Sequence, residues 1–362
     1  MKRPFNFSAG PAALPEAVLE QVAAEMPDWQ GWGISVMEMS HRNVDVESMI
    51  AMAENDLRNL LLVPPSYRIL FIQTSATALN AIVPMNLAAR RGKVATIDVV
   101  HTGVWSGKSL EEARKYAQVN IAATSGPDGF TRIPDEKTWR LTADAAYVHI
   151  CSNETINGTE FFFVPDTGAV PLVADMSSHI LSRSVDITQY GLIFAGAQKN
   201  MGIAGVSVVI VHEDLIGHAL PFCPSAFDFD NLTKYNSMPN TPPVYAIYIC
   251  GLVFRWLKQQ GGVMAMEAAA IRKSSLLYEY IDASSLFFNR VEKLFRSRMN
   301  VPFFLQDETL NDAFLAGAAQ NGLLNLKGHR TLGGMRASLY NAMPVAGVER
   351  LVSYMREFER TH

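Results

Sequence analysis

The chain has 362 residues, enough for two domains with ample core. Apolar residues make up 49 % and charged residues 18 %, with a net charge of −4. That balance is globular: there is no basic tract for nucleic acid and no apolar run long enough to cross a membrane, so an anionic ligand would need positive charge placed locally.

Cys151, Cys223 and Cys250 are widely spaced, with no CxxC and no Cys/His metal pattern, which fits free thiols in a reducing cytoplasm and no metal site. The opening MKRPFNFSAGP lacks the hydrophobic stretch of a signal peptide, so a cytoplasmic location is expected.

Residues 4–15, rich in Pro, Gly and Ala, read as an irregular lead-in. Pro15 then opens a helix from its tolerated first-turn position. A second helix is expected over about 46–62, closed by Pro64-Pro65. Strand and helix patterns then alternate. Strands are expected over 68–72, 94–98, 119–122 and 145–150, with helices from residue 78 and over 106–116. Further strands fall at 170–174, 192–196 and 206–211. This alternation predicts a mainly parallel, helix-covered sheet. After a loop at 231–243 come two helices, 244–259 and 263–281. From about residue 282 the pattern changes to shorter elements, with strand-like stretches at 299–304 and 335–340. The expected division is a lead-in over 1–15, a large domain over 16–281 and a small C-terminal α/β domain over 282–362.

Two of the apolar runs stop at chemically active residues. One ends at Asp175 and the other at Ala197-Gln198-Lys199-Asn200. In open α/β sheets ligands bind at the carboxyl ends of strands, so a carboxylate and an amine would share a crevice. A lysine in an apolar, glycine-lined setting either pairs with an acid or serves as a neutral amine, most often in a Schiff base. Pyridoxal 5'-phosphate (PLP) chemistry needs such a lysine and an acid against the pyridinium nitrogen. A structural Asp–Lys ion pair is the alternative.

Other residues suit the same crevice. Thr74-Ser75-Ala76-Thr77 lies between a strand and a helix start, where backbone N–H groups bind phosphate or Ser/Thr simply caps the helix. Trp105, just before a helix, would stack on an aromatic cofactor or pack in the core. Thr155, at a strand end, would hydrogen-bond a ligand oxygen or cap a turn. His41-Arg42, His329-Arg330 and Arg336 stand out as cations, and arginine forks bind carboxylate and phosphate bidentately.

With these residues assembled, the chain resembles the phosphoserine aminotransferase family of class V, fold type I PLP enzymes. The likeness runs end to end and rests on long stretches: FNFSAGPAALP at 5–15, SVMEMSHR at 35–42, NETINGTEF at 153–161 and AGAQKNMGIAG at 195–205. SMPNTPP at 237–243, RSRMNVPF at 296–303 and GHRTLGGMRASLYNAMP at 328–344 complete it. The resemblance implies transamination between phosphoserine and 2-oxoglutarate, with glutamate as the other amino acid, and a second substrate, 4-phosphohydroxy-L-threonine, in some members. It implies that Lys199 bonds the cofactor and shuttles the α-proton, Asp175 holds the pyridinium nitrogen, Trp105 stacks on the ring and Thr155 contacts it. Gln198, Ala76 and Thr77 would hold the cofactor phosphate, completed by Asn240 and Thr241 of the other subunit of a homodimer. Arg336 would bind the substrate α-carboxylate. His41 and Arg42, with His329 and Arg330 from the partner chain, would bind the substrate's distal anion.

Two positions depart from many members: the Thr74–Thr77 turn replaces a glycine-rich one, and Ala9 stands where some relatives have a substrate-touching serine. Three other readings fit parts of the chain. They are another class V activity (an alanine–glyoxylate type aminotransferase or a cysteine desulfurase), a non-catalytic PLP-binding protein, and a generic nucleotide-binding α/β protein. The cysteines suit no mobile desulfurase loop, the paired His-Arg dipeptides suit a doubly anionic substrate, and no GxGxxG fingerprint is present.

Overall fold

A computed structural model describes residues 3–362. Its centre is a seven-stranded sheet formed by β2 (Tyr67–Ile72), β3 (Ile97–His101), β4 (Val119–Thr124), β5 (Tyr147–Cys151), β6 (Leu172–Asp175), β7 (Leu192–Gly196) and β8 (Ser207–His212), preceded by the short β1 (Phe5–Asn6). The spatial order is β2-β8-β7-β6-β5-β3-β4, and β8 alone runs against its neighbours. Parallel pairing joins β4, β3, β5, β6 and β7, as the alternation predicts.

The sheet is covered on both faces, which explains its continuous apolar runs. In β7, Ile193 and Ala195 enter one core cluster while Leu192 and Phe194 enter the other; Ile69 and Phe71 of β2 oppose Leu70 and Ile72 likewise. On the first face lie α2 (Val44–Leu61) and α6 (Val244–Gln259), with α1 (Glu16–Glu25) against α6. On the second lie α3 (Ala76–Leu87) and α4 (Val104–Ala113).

A third cluster gathers Phe7, Leu277, Phe303, Phe314, Leu339 and Phe358. It is built by the end of α7 (Gly262–Ala283), by β9 (Phe287–Phe288), β10 (Asn300–Leu305) and β12 (Met335–Ser338) in one sheet, and by α8 (Asn311–Gln320) and α9 (Val345–Thr361).

Several boundaries differ from those read in the sequence. The lead-in is not wholly irregular: β1 pairs with β11 (Leu323–Leu324), far along the chain. β3 begins three residues later than expected and runs through His101. The helix after it starts at Val104 and so contains Trp105. A short helix, α5 (Phe229–Lys234), overlaps the start of the expected 231–243 loop, because Asp228 caps it through the N–H of Asp230.

Lys273 ties α7 to the segment that follows β12. Although only 2 % exposed, its ammonium donates to the carbonyls of Leu339, Tyr340 and Met343 at 2.9, 2.7 and 2.9 Å. All three hydrogens are used, and no carboxylate lies within ion-pair distance among the described residues. Removing it would strand three buried acceptors as well as leave a cavity. Lys273→Ala should therefore lower the unfolding free energy by about 3 kcal/mol in a denaturant titration. An unchanged midpoint would show that other donors reach those carbonyls.

Candidate active site

Because β2, β3, β5, β6 and β7 share one direction, their carboxyl ends open on one edge. The segments that leave them enclose a cavity of about 210 Å³. Ala76 and Thr77 follow β2, Trp105 follows β3 and Thr155 follows β5. Asp175 ends β6, and Gln198 and Lys199 follow β7; all line the cavity, together with His329 and Arg336 from the C-terminal part. Nine of the expected residues thus meet in one place with no contact between them in sequence beyond Ala76-Thr77 and Gln198-Lys199.

Lys199 Nζ donates to Thr155 Oγ1 at 2.8 Å. Asp175 is buried, and its Oδ1 accepts from Ser177 N at 2.8 Å and Ser177 Oγ at 2.5 Å. The second oxygen has no protein donor among the described residues. Lys199 and Asp175 make no ion pair, so the structural-pair alternative fails: each has its own hydrogen-bond partner, and the space between them is the cavity. Burial pushes the Lys199 ammonium below its ordinary value, opposed by Asp175. Burial likewise pushes the Asp175 carboxyl up, opposed by the two Ser177 bonds and by Lys199.

The neighbouring turns are pinned. Ser177 Oγ accepts from Gly196 N, Asn200 Nδ2 donates to Ile180 O, and Asn200 Oδ1 accepts from Asn341 N. Ser75 caps α3 by accepting from Ala78 N at 3.4 Å, which leaves the N–H groups of Ala76 and Thr77 without protein acceptors at the cavity wall. The capping role of that turn is observed, and it leaves those N–H groups open. Trp105 sits in the first turn of α4, not ahead of it, and its buried Nε1 has no partner among the described residues. Thr155 lies four residues beyond the end of β5, in a loop, rather than at the strand end. Arg336, on β12, reaches across to donate to Thr155 O at 3.3 Å.

The remaining cations are placed differently. His41 and Arg42, just before the Asn43 cap of α2, line a second, wider cavity of about 900 Å³ together with Asn240 and Thr241. His329, by contrast, lines the Lys199 cavity of its own chain. The expectation had His41 and Arg42 beside Lys199 and His329 supplied by a partner; within one chain it is His329 that lies with Lys199. Arg330 is exposed and lines neither cavity. Burial and the nearby Arg336, Arg330 and Lys108 hold His329 below its ordinary value.

Gly10, Asn153 and Ser177 also line the Lys199 cavity and were not singled out in the sequence; Ala9, which the resemblance placed opposite a substrate-touching serine, lines it too. Ser177 had a signal, since a serine two residues after a strand-ending aspartate suits an Asx-type turn. Gly10 had no local signal, because only tertiary pairing brings the N-terminal segment here: Tyr340 Oη donates to Ala9 O at 2.7 Å.

The model of the class-V aminotransferases matches residues 4–351. The phosphoserine aminotransferase of Herminiimonas arsenicoxydans is 58 % identical over 362 residues, covering all of both chains. A solved phosphoserine aminotransferase from Bacillus circulans subsp. alkalophilus is 43 % identical, with TM-score 0.96 and coverage of 100 % of this chain and 99 % of that one. The PLP-bound phosphoserine aminotransferase from Trichomonas vaginalis is 41 % identical, with TM-score 0.93 and coverage of 98 % and 100 %. The chain therefore belongs to the class-V aminotransferase family, on its phosphoserine aminotransferase branch.

Proposed function

We propose that this chain transfers the amino group of L-glutamate to 3-phosphohydroxypyruvate, giving O-phospho-L-serine and 2-oxoglutarate, with PLP in the Lys199 cavity. The observation that carries the reading is the convergence of an amine, a donor-free carboxylate oxygen and a guanidinium on one enclosed space. Full-length likeness to phosphoserine aminotransferases, one of them solved with PLP, supports the choice of substrate and cofactor.

The donor set fits PLP. The free oxygen of Asp175 suits a pyridinium N–H, the open N–H groups of Ala76 and Thr77 with the Gln198 amide suit a phosphate, and Trp105 offers an aromatic face. When bound, PLP supplies the electron sink that makes the substrate's Cα–H acidic.

The chain's own groups do the rest. Lys199 Nζ, pushed toward its neutral form by burial and oriented by Thr155 Oγ1, takes the α-proton and returns one when the amino group has moved. Arg336 clamps the α-carboxylate and so fixes which Cα bond faces the lysine. Arg42 supplies positive charge, and the His41 and His329 imidazoles supply hydrogen-bond donors, for the phosphate of phosphoserine or the side-chain carboxylate of glutamate.

In one chain His41, Arg42, Asn240 and Thr241 share a cavity apart from Lys199. We propose that two copies assemble so that this cavity of each chain completes the Lys199 cavity of the other. Exposed apolar side chains close by in sequence, Trp32, Ile34, Met37 and Val44, give such an interface its hydrophobic surface.

Two outcomes test this. Arg336→Lys keeps the charge but loses the fork. It should cut kcat/KM for both phosphoserine and glutamate roughly 10- to 100-fold while PLP absorbance is retained; unchanged kinetics would remove Arg336 from the carboxylate site. Arg42→Ala and Lys199→Ala should each abolish turnover alone. Mixed and reassorted, they should regain roughly a quarter of natural activity, because half the dimers carry one intact site. No recovery would place Arg42 and Lys199 in the same chain's site.

A further inference from the structure

The loop that brings Thr155 to Lys199 also carries a second acid. Glu154 is fully buried, and among the described residues no lysine or arginine pairs with it. Its carboxylate is spent on the start of α4: Oε2 accepts from Trp105 N at 2.9 Å, and Oε1 from Ser106 N at 2.8 Å and Ser106 Oγ at 2.7 Å. Asn157 Oδ1, from the same loop, accepts from Val104 N at 3.1 Å. These are the N–H groups that a helix leaves open at its N-terminus, where partial positive charge favours an anion. The approach is so close that a Cβ at Gly103 would run into both Glu154 and Asn157. Glu154 is itself fixed at both backbone groups, through Thr159 O and Gly158 N at 2.8 Å each.

The Trp105 side chain lacks any such anchor of its own. Its indole N–H is buried without a partner. Lys199 Nζ lies 5.6 Å and Lys108 Nζ 4.4 Å from the ring centroid, contacts that attract but do not aim a ring. The place of the indole therefore follows from where the first turn of α4 is held.

We propose that Glu154 is a positioning residue for the transamination: by clamping the N–H groups of Trp105 and Ser106 it sets the indole against the cofactor. This rests on the reading of Trp105 as the residue that faces the PLP ring. Glu154 does not line the Lys199 cavity and acts only through α4. A carboxylate is required because two adjacent N–H groups and a hydroxyl need a bidentate acceptor with no hydrogens of its own. An amide would turn one of its N–H bonds toward those donors.

The test is a double-mutant cycle read on the holoenzyme. PLP release into excess apo-acceptor and the visible circular dichroism of bound PLP are measured in the natural chain, in Glu154→Gln, in Trp105→Leu and in the double variant. Glu154→Gln should speed PLP release about tenfold in the natural chain and less than about twofold in the Trp105→Leu background. It should also shrink the cofactor's dichroism. Ser106→Ala, which removes one of the three donors, should show a smaller loss in the same direction and serves if Glu154→Gln does not fold. Equal losses in both backgrounds, or none with Glu154→Gln while Trp105→Leu releases PLP faster, would overturn the role of Glu154 alone. Unaltered release in Trp105→Leu would overturn the Trp105 reading, and the proposal with it.

Discussion

The arrangement depends on keeping opposite charges apart in a small buried space. An amine and a carboxylate at adjacent strand ends would collapse into an ion pair if neither had another partner, and a collapsed pair leaves no room for a ligand. Here each group has its own partner. Ser177 takes one oxygen of Asp175, and Thr155 takes Lys199. A buried group that already makes hydrogen bonds loses them on moving, so these local bonds hold the cavity open at the cost of desolvation that burial imposes. The same burial pushes Lys199 toward the neutral amine.

Parallel topology makes this economical. Six strands run the same way, and the segments at the ends of five of them reach the cavity, each free to bring side chains there while its strand stays in the core. Segment 153–158 does more than its share. It meets Lys199 through Thr155, α4 through Glu154 and Asn157, and the C-terminal sheet through Asn153, whose amide donates to Asn300 Oδ1 at 2.9 Å. A shift there would move Lys199, Trp105 and Arg336 together, since Arg336 also bonds Thr155 O.

Much of this was legible in the sequence, and what was legible has a physical cause. Apolar runs ending at Asp175 and Lys199 announced strand ends because a strand covered on both faces has no polar alternation to blur its boundary. The Ser75 cap announced α3 through its own chemistry. Trp105 was read as outside a helix because nothing local reveals that its N–H is capped by an acid 49 residues away. The pairing of β1 with β11, and with it Ala9 and Gly10 in the cavity, was likewise hidden, since two-residue strands leave no periodicity. The resemblance supplied roles for His41, Arg42, His329 and Arg330, but only the folded chain shows that His329 faces its own lysine while Arg42 turns to a separate cavity.

The segment 5–10 bears on the order in which the cavity is completed. Phe5 and Asn6 pair with Leu323 and Leu324, Phe7 lies in the third cluster, and Ala9 is bonded by Tyr340. Ala9 and Tyr340 stand 331 residues apart, so the wall of the cavity formed by Ala9 and Gly10 closes only when distant segments have met. A chain folded only through its central sheet would carry Lys199 on an open edge, without the N-terminal segment that finishes the pocket around it.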